Sequence, residues 1–273
     1  MFHFARAFSR TALVLSFLAM TSIAYAQSDA ERTQIGRSYA QKWKDIDKGF
    51  GDSLANIRMT LYDRGGNRSV REMLMGVIEA KNRSRTGDRV LLTFEAPANV
   101  KGSRFLIHSM VKKGDLVWLY LPSLGRVKRV ASADRSGSFA GSEFSYEDIG
   151  SMEMGNYDFR FIENRRCGSQ KCAVVRQTPL YPFSGYSYID VWYDHKQYRQ
   201  IQIDFFDRKG SLLKTLKLSN YKQFLGQYWR ALTMEMKNHV TGKRTVLSSS
   251  NVRFRNGLKI RDYEPGKLRD ATR

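Results

Sequence analysis

Long apolar runs are nearly absent. The 273-residue chain has one, Ala12 to Met20, preceded by Arg6 and Arg10 with no acidic residue and followed by the small-residue site Ala24-Tyr25-Ala26. That run is shorter than the roughly 20 residues a membrane-spanning helix needs, so the pattern predicts a cleavable secretory signal peptide over 1–26 with cleavage after Ala26. The expected destination is the periplasm. Cysteine is scarce too. A lipid-accepting Cys at the cleavage point is lacking, since the first Cys is Cys167, and the mature chain is expected to carry no lipid anchor. Cys167 and Cys172 flank the polar insert Gly168-Ser169-Gln170-Lys171. A zinc site would require two further ligands, whereas His108, His195 and His239 are scattered singly; in an oxidising compartment the pair is expected to form a disulfide closing a small loop. No metal and no cofactor is expected.

Acidic residues are in deficit, 26 against 46 Lys and Arg, for a formal net charge of +20. Loss of Arg6 and Arg10 with the leader brings this to +18. Such a surface favours anionic partners. Export and the lack of any helix-turn-helix or RNA-binding pattern exclude nucleic acid, leaving an anionic membrane surface or acidic protein patches. A nucleophile elbow is missing as well: in Gly137-Ser138-Phe139-Ala140-Gly141 the position that Gly-x-Ser-x-Gly reserves for serine is Phe139. Glu143, Glu147 and Asp148 offer paired carboxylates, but acidic residues in a loop are usually solvated or pair with neighbouring Arg, and no enzyme is expected.

Alternation of strand and helix patterns is lacking, which excludes a parallel sheet. What is present is one helical stripe, Ile35, Tyr39, Trp43, Ile46 and Phe50, with Ser28 and Glu31 as a capping box before it and Gly49 and Gly51 after it. From Ser53 the period changes to two. Strands are expected around 57–61, 89–94, 116–120, 158–163, 173–177, 187–193, 200–206, 212–218, 230–237 and 245–254, with hairpin turns at 63–67, 112–115, 207–210 and 241–243. A meander of about ten strands curls, and a helix laid across its concave face covers it. The expected organisation is a signal peptide (1–26), an amphipathic helix (27–52), a β-barrel domain (53–264) and a C-terminal tail (265–273).

The stretch between the strands at Trp118 and Asp158 mixes Gly and Ser with aromatics, as in a long ordered loop that covers something. Its residues carry a resemblance. Trp118-x-Tyr120-x-Pro122, Arg126, Arg129, and Gly137-Ser138-Phe139-x-Gly141-Ser142-x-Phe144-x-Tyr146-Glu147-Asp148 resemble the pattern of the outer-membrane lipoprotein-sorting proteins, relatives of the carrier LolA often associated with RND-type transporters. The resemblance runs from about Asp45 to Tyr263. It implies a mainly β fold, an unclosed antiparallel half-barrel with an N-terminal helix and a loop lid around a hydrophobic cavity for acyl chains. The implied partners are lipid or lipoprotein acyl chains and an RND-type transporter; a non-carrying adaptor of an envelope complex is the alternative. Candidate cavity residues are Ile35, Tyr39, Trp43, Trp118, Tyr120, Phe139, Phe144 and Tyr146. Arg126, Lys128 and Arg129 are candidates for a basic rim.

Overall fold

The computed structural model describes residues 11–81 and 86–270. Arg6 and Arg10, the basic start of the expected leader, lie outside them. One helix, α1 (Thr11–Ile46), precedes thirteen strands: β1 (Asp52–Tyr62), β2 (Arg68–Ile78), β3 (Thr86–Ala96), β4 (Arg104–Met110), β5 (Leu116–Leu121), β6 (Arg126–Arg129), β7 (Tyr157–Cys167), β8 (Gln170–Pro179), β9 (Tyr186–Asp194), β10 (Gln200–Asp207), β11 (Leu212–Phe224), β12 (Tyr228–Asn238) and β13 (Arg244–Phe254). They form a single sheet, ordered β6-β5-β4-β3-β2-β1-β13-β12-β11-β10-β9-β8-β7. Every neighbouring pair is antiparallel. The ends, β6 and β7, do not pair, so the barrel is unclosed.

All four expected hairpin turns connect strands. In the first, Gly66 adopts φ 86° while the Asn67 amide and side chain both donate to the Asp63 carboxylate, at 2.9 and 2.8 Å. Three strands exceed the sequence expectation, β2, β4 and β6. Cys167 and Cys172 are joined as expected, with Cα atoms 5.9 Å apart, pinning the β7–β8 turn.

Curling brings alternate side chains of distant strands into one core. Phe94 and Phe105 of β3 and β4, Phe205 and Leu216 of β10 and β11, and Met59 and Leu247 of β1 and β13 belong to the same buried cluster. A smaller cluster, Ile78, Leu106, Tyr263 and Leu268, lies on the other face. It corrects the expected tail: Leu268 is 1% exposed, and Arg104 donates to its carbonyl at 2.7 Å. The C-terminal segment is thus a cover for the outer face of β2 to β5.

Helix α1 differs from expectation at both ends. The chain is helical through Ser28, so no cap starts a helix there, and the helix ends at Ile46, leaving Phe50 beyond it. Phe50 is buried and meets Tyr228 and Phe254 edge-on instead. The buried stripe is Gly36, Ala40 and Lys44, four residues apart, with Tyr39 and Trp43 half-buried beside it. Gly36 sets the approach: a Cβ there would stand 2.7 Å from the Phe161 amide nitrogen and 2.8 Å from the Arg160 carbonyl carbon. The helix therefore lies directly on the backbone of edge strand β7. Among the described residues no helix is long and apolar enough to cross a membrane.

Candidate functional site

The connection from β6 to β7 joins the two ends of the sheet, and it does so through the inside of the half-barrel. Residues 138–145 fold back as a small hairpin: Ser138 bridges Ser145, the Ser142 amide donates to the Phe139 carbonyl at 2.9 Å, and Ala140 and Gly141 adopt φ 51° and 74°. This drives Phe139 against Phe105 and Phe94, with ring centroids 4.8 and 6.2 Å away. The other flank is held by charge. Lys214 of β11 donates to Asp148 at 2.6 Å and to the Glu143 carbonyl at 3.0 Å, and Tyr186 of β9 donates to Asp148 at 2.7 Å. Asn238 of β12 reaches Glu143 at 2.7 Å. One loop thus ties β3 and β4 to β9, β11 and β12 across the interior.

Beside this loop and under α1 lies a cavity of about 330 Å³. Its apolar wall follows the period of two: Ile189 and Val191 of β9, Ile203 and Phe205 of β10, Leu216 and Leu218 of β11, then Met234 of β12, with Trp43 of the helix above. A second compartment of about 270 Å³ extends towards the end of α1, adding Ile46, Phe50, Met75 and Val77. Trp43, Asp47, Asp88, Ser151, Gln200, Leu218 and Met234 wall both, so the two compartments make up one chamber. This size suits a small-molecule site.

The loop end of the chamber is polar. Lys44, buried at the helix stripe, donates to the Met152 carbonyl at 2.7 Å and pairs with Glu153 at 3.1 Å. Arg135 is 3% exposed, donating to the carbonyls of Ser132, Asp115 and Pro182 at 3.2, 3.0 and 3.2 Å. Asp115 accepts from the Met110 amide at 3.1 Å; burial pushes its carboxyl up to about 7, against the opposing pull of that amide and of Arg135. Glu147 accepts from the Gly185 amide at 2.8 Å, and burial followed by the neighbouring Asp148 charge likewise lifts it to about 7. Among the described residues no group of three or more His, Cys, Asp or Glu is arranged to hold a metal ion.

Of the eight residues the sequence offered as cavity wall, Trp43 lines the chamber. Tyr39 sits beside it in an aromatic group at the helix, its hydroxyl 2.9 Å from His195 Nδ1 and its ring 5.6 Å from Tyr198; Ile35 is half-buried on the same helix. Phe139 and Phe144 are solid core, and Tyr146 packs on them. Trp118 and Tyr120 require a correction. They lie on the outer face with the C-terminal cover, because in β5 it is Val117 and Leu119 that point inward and a strand sends neighbours to opposite faces. Arg126, Lys128 and Arg129 are all exposed on edge strand β6. Glu143, Glu147 and Asp148, the paired-carboxylate candidates, anchor the loop through Asn238, Gly185, Tyr186 and Lys214. Sequence reading missed the β9–β12 wall, whose signal was the i, i+2 alternation at 189/191, 203/205 and 216/218.

A family model described as an uncharacterized protein matches residues 86–270. The crystal structure named for an outer membrane lipoprotein-sorting protein domain from Vibrio parahaemolyticus is 42% identical, covers 87% of this chain and 99% of its own, and superposes with a TM-score of 0.83. The chain belongs to the family of outer-membrane lipoprotein-sorting proteins. A DUF1329 family protein from Desulfovibrio piger is similar over 87% of this chain and 99% of that one, at 25% identity and a TM-score of 0.80. A LolA superfamily protein from Nitrosomonas europaea, 18% identical over 84% of this chain and 97% of that one with a TM-score of 0.67, shares the fold. No curated protein matches. The half-barrel is thus LolA-like in fold, and in this chain its interior is divided between an apolar strand wall and a polar loop end.

Proposed function

We propose that the mature protein is a periplasmic carrier that takes the acyl chains of a lipid or lipoprotein into the chamber under α1 and passes them between membranes, or to and from an RND-type transporter. The observation that carries this reading is the chamber itself, walled by apolar side chains of four strands and roofed by a helix. Burial contributes about 0.8 kcal/mol per methylene, so a dozen carbons supply roughly 10 kcal/mol gross, enough to hold a chain after the costs of association. Held by area rather than by a few strong polar bonds, the chain is released when a more apolar acceptor is offered. Arg126, Lys128 and Arg129, on the exposed edge, suit transient contact with an anionic membrane surface. The leader over 1–26 delivers the protein to the periplasm, and the 42% identical sorting-protein domain supports the same assignment.

The test is expression with the leader, purification from the periplasm, and native mass spectrometry with organic extraction. Lipid is expected to co-purify with a chain beginning at Gln27, and Leu218→Glu, which puts a charge into the shared wall, is expected to fold and come out empty. Wild-type protein that is empty and takes up no lipid from vesicles would overturn the carrier and favour the adaptor.

A further inference from the structure

The chamber's charge runs against that of the molecule. In a chain of formal net charge +20, the compartment beside the loop is lined by Asp47, Asp88, Asp115, Glu147 and Asp148 against Lys44 and Arg135, with Asp47 and Asp148 paired to Arg230 and Lys214, which do not line it. Both cations are already engaged, Lys44 by Glu153 and the Met152 carbonyl, Arg135 by three carbonyls. Acceptors are left over. Asn156 is 4% exposed; its amide nitrogen donates to the carbonyls of Met110 and Lys113 at 2.7 and 3.0 Å, while its Oδ1 is buried with no hydrogen-bond partner. Glu147 Oε2 is buried without a partner too, its Oε1 taking the Gly185 amide. The third such atom, Arg71 Nη1, belongs to a residue that does not line this compartment. Asp115 is a third acceptor on the same wall: it takes the Met110 amide and a Ser109 hydrogen bond and forms no ion pair among the described residues, whereas Asn156 Oδ1 and Glu147 Oε2 have no donor at all. Buried acceptors without donors are costly.

Resting on the carrier reading, the geometry points to a cargo whose polar end carries a protonated amine, bound with that amine among Glu147, Asn156 and Asp115 and with its chain along the β9–β12 wall. An ammonium is all donor, with three N–H groups and no acceptor, and matches acceptors that three separate segments of the chain present to the same compartment. An acidic head would face the same carboxylates and be repelled. The apolar wall begins where the polar end stops, so one amphiphile spans both.

The experiment measures binding of dodecylamine, dodecanol, dodecanoate and ethylamine to the delipidated mature protein at pH 8 by titration calorimetry, below the concentrations at which these amphiphiles aggregate. Dodecylamine is expected to bind at least about tenfold more tightly than dodecanol, as a charge-assisted contact in a buried site allows, dodecanoate most weakly of the three and ethylamine far more weakly than dodecylamine. In Glu147→Gln, and separately in Asp115→Asn, the amine-to-alcohol ratio is expected to fall towards one. Equal or better binding of dodecanol by the wild type overturns the head-group assignment while leaving the carrier intact, and that comparison needs no variant to fold. Persistence of the ratio in both variants, each shown folded by its melting curve, overturns it as well. Ethylamine binding as tightly as dodecylamine would make the ligand a free amine and overturn the amphiphile. Failure of all three long-chain probes to bind refutes the carrier reading itself.

Discussion

Gly36→Ala separates two effects of opposite sign. On an isolated helix, replacing glycine by alanine gains about 1 kcal/mol, since glycine has more backbone freedom to lose. In this protein the added Cβ would stand 2.7, 2.8 and 3.0 Å from three backbone atoms of β7, at Phe161 and Arg160. Backbone cannot swing aside as a side chain does, so helix and strand must separate by several tenths of an ångström. Overpacking of this kind costs about 1–3 kcal/mol, and a gap of 0.5–1 Å forfeits a quarter to a half of each dispersion contact around it, here those of Ala40 and Lys44. The balance is a loss of about 1–2 kcal/mol. For a domain of this size that lowers the melting temperature by roughly 3–6 °C. The assay is a thermal melt of the mature protein beside the helicity of a peptide spanning residues 28–46, where the same substitution is expected to raise helix content. A protein melting higher than wild type would refute the close approach of helix to strand, because propensity alone would then be acting.

Two further outcomes follow from the buried charges. Lys214→Met removes the cation from a pair whose side chains are 5% and 4% exposed and leaves Asp148 buried beside Glu147; a loss of about 3–5 kcal/mol is expected in urea unfolding at pH 7, and a loss under 1 kcal/mol would show that Lys214 does not hold the loop. The second concerns pH. Asp115 and Glu147 titrate near 7 in the folded protein and about three units lower when unfolded, so between about pH 4.5 and 7 the native state binds more protons than the unfolded chain. Their contribution is fully present below the unfolded values and is lost as pH rises through the folded ones, with a slope of up to about 1.4 kcal/mol per unit for each group. Stability is expected to decline from pH 5 to pH 7.5, and Asp115→Asn to flatten the decline. A wild-type curve level or rising over that range contradicts the burial of these carboxyls.

The features legible in the sequence are local ones. Alternation at 203/205 and 216/218, turn chemistry such as Asp63 with Gly66 and Asn67, and the helical spacing of Tyr39 and Trp43 depend on neighbours within a few residues, and they suffice for a curled antiparallel sheet with one helix. The Cys167–Cys172 bridge is local as well. Strand β2 escaped because its residues are apolar on both faces: Met73, Met75 and Val77 join the inner core while Ile78 joins the outer one, so alternation is blurred. Strands β4 and β6 lay inside stretches for which no strand was expected.

Which side of a strand meets the chamber was decided by tertiary structure. The sequence marks Trp118 and Val117 as apolar alike; only the C-terminal segment, folding back to bury Tyr263 and Leu268, makes the Trp118 side the outer one. The same holds for the loop aromatics. Phe139 and Phe144 look like cavity teeth in sequence, but the hairpin at Ala140 and Gly141 inserts them into the core. Nor does composition place acids: a strongly basic chain gathers Glu147 and Asp148 at one polar end because the β6–β7 connection crosses the interior, where they join Asp115 of the β4–β5 turn. Periodicity fixes which residues share a face of one element. Long-range closure, which brings together residues a hundred positions apart, fixes what that face meets.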